Sequence, residues 1–197
     1  MRRSRSLGAD YFEALYRGSR DPWDFETSDY ERAKYADTLA SLGEGPVRRA
    51  LEMGCSIGVF TRDLATVCDR LVATDLSATA LTEARRRCAD LANVEFRQAR
   101  SVADGLEGTY DLIILSEVVY YWDEADLTAV ARAISRALAP AGRLLLVHWL
   151  GQTDYPRSAD AAVEALWAGL KGVARVEKAE RRREYRLDLW RRIEAFS

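Results

Sequence analysis

Residues 51–61 read LEMGCSIGVFT. An apolar run stops at Gly54, a second glycine follows at Gly58, and Phe60, Leu64 and Val67 then fall on one helical face. A buried strand that runs into a glycine turn and out into a helix is the unit from which open α/β sheets are built. The stretch places a ligand-facing loop at 54–58, because glycines at a strand's carboxyl end let backbone approach a bound molecule.

Working outward, the same alternation repeats. Strands are expected at 47–53, 70–76, 94–99 and 110–117, and a fifth at 144–150 after a turn at 139–143. Helices are expected over 60–68, after Ser77 (Leu81, Ala84, Cys88, Leu91), before the 139–143 turn (Leu127, Val130, Ile134, Leu138) and over 158–170. The tail, GVARVEKAERRREYRLDLW, reads as two strands around a charged turn at Arg181, Arg182 and Arg183. This pattern predicts an α/β fold: a doubly wound, Rossmann-like seven-stranded sheet, mostly parallel, with a C-terminal antiparallel hairpin and helices on both faces. Ahead of it lie a tail at 1–8 expected to fray, a short helix ended near Gly18, and a helix opened by Ser28 and Glu31 in capping-box spacing that buries Tyr35, Leu39 and Leu42. The expected organisation is a helical lid segment at 1–45 on a body at 46–197, forming a single domain.

Bulk properties narrow the function. With 29 Lys+Arg against 31 Asp+Glu, the formal net charge is −2, which argues against nucleic acid as the main partner. No apolar stretch is long enough to span a bilayer, so no membrane role is expected. The basic start lacks an apolar segment behind it, and three cysteines (Cys55, Cys68, Cys88) make neither CxxC pair nor ligand spacing. Both features fit a reducing, cytoplasmic setting. A single histidine, His148, excludes a multi-histidine metal site, and no metal is expected.

In doubly wound sheets ligands bind outside the carboxyl ends of the strands. The loop Gly54-Cys55-Ser56-Ile57-Gly58 lacks the third glycine of a dinucleotide fingerprint, which weakens a nicotinamide oxidoreductase reading. Glu52, at the end of an apolar strand, calls for a positively charged ligand group. Asp75 ends the second strand near the spacing of an acid that binds ribose hydroxyls; a carboxylate favoured by a helix N-terminus explains the same placement.

Glu-x-Gly-x-x-x-Gly with an acid ending the second strand resembles motifs I and II of class I S-adenosylmethionine-dependent methyltransferases. DPWDFETSDYERAKY, LEMGCSIGVFTRDLA, DLIILSEVVYYW and HWLGQTDYP, in that order, narrow the resemblance to the nodulation protein S branch, over roughly residues 11–190. The resemblance implies S-adenosyl-L-methionine as cofactor and S-adenosyl-L-homocysteine as product. It implies that Gly54, Cys55, Ser56 and Gly58 line the methionine portion with Glu52 in support. Asp75 would hold the ribose, and Leu76 would pack on the adenine. Where many relatives carry an Asp after the third strand, this chain has QARSV, so Arg100 or Ser101 would stand near the adenine. Trp23, Tyr30 and Lys34 would cover the cleft, with Lys34 meeting the cofactor's carboxylate.

The implied reaction is methyl transfer to a small-molecule acceptor, first the amine of an amino sugar or related metabolite, with O-methylation as the alternative. A non-catalytic cofactor-binding partner protein is the rival of another class. The candidate chemistry lies at the ends of the fourth and fifth strands. The resemblance implies that Ser116 and Glu117 lie at the cofactor's methyl end; Glu117 can position an acceptor, and Tyr120 or Tyr121 can face the sulfonium. His148 carries an imidazole suited to a base near neutral pH, although a hydrogen-bonded structural role explains a lone strand-end histidine as well. Asp154 and Tyr155 can shape the acceptor pocket. A monomer or homodimer is expected.

Overall fold

The computed structural model describes residues 2–43, 45 and 47–194. Glu44 and Pro46, where the expected boundary between lid and body falls, lie outside the described residues. Among the described residues six α-helices run α1 (Ala9–Gly18), α2 (Asp29–Ala40), α3 (Val59–Leu64), α4 (Ala78–Arg87), α5 (Glu124–Ala137) and α6 (Ala159–Leu170). Seven strands run β1 (Arg49–Met53), β2 (Arg70–Asp75), β3 (Val94–Gln98), β4 (Tyr110–Ser116), β5 (Leu138–Trp149), β6 (Ala174–Arg181) and β7 (Tyr185–Arg192).

The strands form one sheet in the order β3-β2-β1-β4-β5-β7-β6. Five are parallel, and β7 inserts antiparallel between β5 and β6. Strand order reverses between β1 and β4, whose neighbours Leu51 and Ile113 are fully buried. Both faces carry a core. One packs Leu51, Ile113, Leu115 and Leu144 against Leu127, Val130 and Ile134 of α5 and Val163 and Leu166 of α6. The other packs Leu112, Ile114, Leu145 and Leu187 with Phe60, Leu64 and Tyr35. The expected fold class is the one observed.

Three expectations need correction. The described residues before α1 are tied down: Arg3 N donates to Asp154 O at 2.8 Å, Leu7 N donates to Tyr121 O at 3.0 Å, and Asp123 N donates to Ser6 Oγ at 2.8 Å. This strap ties the chain's start to the loops after β4 and β5. The third helix stops at Leu64, and Val67 is exposed. The Asn93 amide donates to the carbonyls of Ala65 and Cys68, so the helix end is satisfied without another turn. The expected turn at 139–143 is instead part of β5: Leu138 already pairs with Tyr110, and Ala141 at φ +56° absorbs the register shift that follows.

No helix among the described residues is long and apolar enough to cross a membrane.

Candidate active site

The switch point opens into a cleft of about 320 Å³ at the carboxyl ends of β1, β2 and β4, covered by α1, α2 and the loop between them. One half is built by the opening loop. Gly54 sits at φ +82°, and a Cβ there would lie 2.3 Å from Val118 Cγ1, so backbone and Val118 occupy the space a side chain would need. Gly54 N and Cys55 N both donate to Thr74 O, which folds the loop back over β2. Asp75 then receives Ser56 N on one oxygen and Ser77 N on the other, each at 2.9 Å. Burial outweighs these donors and pushes its carboxyl up to about 6. Glu52 accepts from Thr61 Oγ1 at 2.7 Å, and burial pushes it up to about 7.

Helix α1 closes this half. Tyr16 OH donates to Ser56 Oγ at 2.5 Å. Glu13 accepts from Thr79 N, Thr79 Oγ1 and Ser77 Oγ at the start of α4; hydrogen bonds from Thr79 and Ser77 bring its carboxyl down to about 2. Leu76 lines the cleft, as does Ser101.

The other half gathers around Glu117, at φ +58° directly after β4. Its carboxylate accepts from Lys34 Nζ at 2.5 Å, Tyr120 OH at 2.6 Å and Trp149 N at 2.9 Å. Lys34, 1% exposed, also donates to Glu31 at 2.9 Å. Burial opposes the charge of Glu117, yet the Lys34 ammonium, then His148, then hydrogen bonds from Lys34 and Trp149 hold the carboxyl below the usual range. Tyr120, Tyr121 and Tyr155 pack together, with centroid distances of 4.7–5.3 Å.

The cleft therefore unites Trp23, Tyr30, Lys34, Glu52, Gly54, Cys55, Ser56, Asp75, Leu76, Ser101, Ser116, Glu117, Tyr120 and Tyr121. Three expected residues stand apart. Gly58 (φ +79°) packs on α4, where a Cβ would meet Ala84 Cα at 3.0 Å. Arg100 contributes its backbone N–H to Asp104, and its side chain does not line the cleft. His148 is fully buried outside the cleft wall; its Nε2 accepts from Val119 N at 3.1 Å and supports the 3-10 turn Val119–Tyr121. Burial brings its imidazole down to about 4, so it stays neutral at the pH where a base would act. Lys34 lines the cleft and bonds Glu31 and Glu117.

His148→Ala is accordingly expected to leave the position of the pH–rate profile unchanged between about pH 5 and 8. It should cost about 1–3 kcal/mol of stability, because Val119 N–H loses its buried acceptor. Urea unfolding measures that cost. With a depressed native value, the wild-type histidine makes stability fall as pH drops from 6.5 toward 4, a decline the variant should lack. A shifted rate profile would contradict this.

Sequence reasoning missed Phe12, Tyr16, Phe25, Glu31, Asp104, Val118 and Trp149, all in the cleft wall. Two had a readable signal. Glu31 lies three residues before Lys34 on one helix face. Asp104 closes a turn that it holds by accepting from Arg100 N, Ser101 N and Ser101 Oγ, so the acid absent from QARSV arrives three residues after Ser101.

The family model described as Nodulation protein S (NodS) matches residues 14–156. The chain belongs to the nodulation protein S family. A curated member from Rhizobium tropici is 35% identical over 140 residues, which is 69% of this chain and 59% of that protein. This chain covers 59% to 61% of the length of the curated nodulation protein S relatives it matches. Two crystal structures are similar throughout. One, of a Pseudomonas syringae protein provisionally described as a methyltransferase, is 37% identical with a TM-score of 0.73, over 83% of this chain and 99% of that one. The other, the N-methyltransferase NodS of Bradyrhizobium japonicum WM9 in complex with S-adenosyl-L-homocysteine, is 24% identical with a TM-score of 0.77, over 93% and 98%. That likeness extends the family's fold across nearly the whole chain.

Proposed function

We propose that the chain is an S-adenosylmethionine-dependent methyltransferase acting on the amine of a small molecule, such as an amino sugar or related metabolite. One observation carries the reading. Glu31, Glu52, Asp75, Asp104 and Glu117 line the cleft among aromatic rings, against the single cation Lys34 among the described residues. Such a wall suits a sulfonium and an amine and repels a phosphate-bearing dinucleotide.

The residues present fit the cofactor. The backbone cradle at Gly54 admits close approach, and the two Asp75 oxygens, oriented by Ser56 and Ser77, are placed to accept from ribose hydroxyls. Leu76 would flank the adenine, with Ser101 and Asp104 near its polar edge. Glu52, Cys55, Ser56 and Ser116 would surround the methionine portion, under a lid of Trp23 and Tyr30. When bound, the cofactor would supply an activated methyl: the acceptor nitrogen's lone pair would form the N–C bond, the C–S pair would stay on sulfur as a neutral thioether, and the ammonium proton would go to solvent.

Alignment and exclusion of water are then the protein's main contributions. Glu117 would orient the acceptor's N–H, and Tyr120, Tyr121 and Tyr155 would wall off solvent. An amine is favoured over a hydroxyl because a hydroxyl needs a base near neutral pH beside it. Glu117 is held low by Lys34, and His148 does not reach the cleft. The reading includes a lid at 1–45 on a body at 46–197, a cytoplasmic setting, no nucleic-acid partner, and a monomer or homodimer.

Calorimetry with S-adenosylmethionine and transfer of a labelled methyl to paired amine and hydroxyl acceptors test it. Binding and amine methylation are expected; absence of both sinks the proposal. Binding should also depend on pH. Ribose hydroxyls need the ionised form of Asp75, whose carboxyl sits at about 6 in the open cleft. Affinity should be full above that value and fall up to about tenfold per pH unit below it. A flat Kd between about pH 7 and 5 would contradict the role of Asp75.

A further inference from the structure

Glu117 is held at φ +58°, a conformation that non-glycine residues rarely adopt. Tyr120, three residues on, and Trp149 supply one neutral donor each, and both bond to the same oxygen, Oε2. Among the described residues the other oxygen meets only Lys34, an ammonium delivered by α2 across 83 residues. Burial opposes a charge there; Lys34 favours it most, with smaller contributions from His148 and the Trp149 N–H. From α2, Tyr30, Glu31 and Tyr35 face the carboxylate; from the 3-10 turn, Tyr120 and Tyr121; from beyond β5, Tyr155. From β5 comes His148, neutral and buried, with Arg186 of β7 behind it. Among the described residues Lys34 is the one cation in hydrogen-bond contact with Glu117, and it is shared with the competing carboxylate Glu31.

We propose that Lys34 is a positioning residue: it keeps Glu117 ionised and aimed, leaving that carboxylate to orient the acceptor amine, while Glu31 fixes the ammonium. The proposal rests on the methyl-transfer reading only for what the acceptor is. A lysine that merely filled space would be replaceable by an apolar side chain of similar shape. A lysine that sets a charge is not, because a carboxyl left at this depth without its cation takes up a proton.

Lys34→Met and Glu31→Gln separate the two roles because they have opposite signs. The first removes the cation; the second leaves it to Glu117 alone. NMR titration of ¹³C-labelled glutamate carboxyls, with Glu117→Gln identifying the resonance, reads the result without any turnover. Glu117 should titrate below the usual glutamate range in the wild type, rise by about one pH unit or more in Lys34→Met, and not rise in Glu31→Gln. If Lys34→Met does not fold, Lys34→Gln keeps a donor without the charge and should give the same rise. In turnover, the acid limb of kcat/KM for an amine should steepen from slope one to slope two in the lysine variant. The extra loss should set in below the variant's Glu117 value and reach about tenfold one pH unit beneath it.

An unmoved Glu117 titration in both lysine variants, or a rise in Glu31→Gln, would overturn the proposal. Expected titrations in a protein that methylates no amine would instead overturn the methyl-transfer reading and leave the charge relation standing.

Discussion

Asp75→Ala is expected to weaken S-adenosylmethionine binding by about 100-fold or more. Two ribose hydroxyls donating to a buried carboxylate contribute about 1.5 kcal/mol each, and about 3 kcal/mol corresponds to two decades in Kd. The carboxylate also organises the loop it faces. It holds Ser56, which sits at φ +53°, through the Ser56 N–H, and it holds the entry to α4 through the Ser77 N–H. The substitution therefore removes ligand contacts and loosens the cradle together. Asp75→Asn separates the two, since the amide oxygen can still accept one backbone bond while the charge is gone. Calorimetry at about pH 8, where the carboxylate is ionised, should show the alanine variant weakest and the asparagine variant intermediate. A change below about threefold in Kd for the alanine variant, under 1 kcal/mol, would remove Asp75 from the cofactor's contacts.

The second large effect is expected at Glu117. Glu117→Gln keeps the shape of the side chain and an oxygen for Trp149 N, but it loses the charge and leaves Lys34 with Glu31 alone. Turnover of an amine should fall by about 100-fold or more, because loss of alignment at the reacting atom carries penalties of that size. Cofactor affinity should stay within about threefold, under 1 kcal/mol, since the residue lies in the other half of the cleft. Comparable losses in both quantities would mean that Glu117 serves the fold of the whole site and not the acceptor.

The positions of these two acids were readable from the chain, and the reasons are physical. Each ends a strand whose apolar run is long enough to be recognised, and the carboxyl ends of such strands converge at the switch point. Gly54 was readable because a turn that tight leaves no room for a side chain. The partners of Lys34 were not readable in the same way. The helix containing it could be located from Ser28 and Glu31, but its contact with Glu117 depends on how α2 settles on the sheet. Ser28 Oγ does accept from Glu31 N as the capping spacing predicts. The Glu31 side chain, however, turns to Lys34.

His148 shows the same limit from the other direction. Its strand-end position was legible, but whether the ring faces the cleft or the core depends on the turn packed against it. The strap before α1 was illegible for a related reason. Polar residues such as Arg3 and Ser6 carry no periodic signal, and their partners Asp154 and Asp123 lie more than 100 residues away.

The sheet's two ends bear on how a homodimer of this chain would be built. Its outermost strands are β3 and β6. The first is only five residues long and pairs Glu95 with Arg97 along its length. The second carries Arg175, Glu177, Lys178, Glu180 and Arg181, and its ladder to β7 is broken by an irregularity between Val176 and Lys178. Short length, alternating charge and a bulge each discourage another chain from adding a strand. Pairing edge to edge would have to bury those charges, so a symmetric dimer is expected to meet through helix-covered faces, leaving the seven-stranded sheet as the full width of the ribbon.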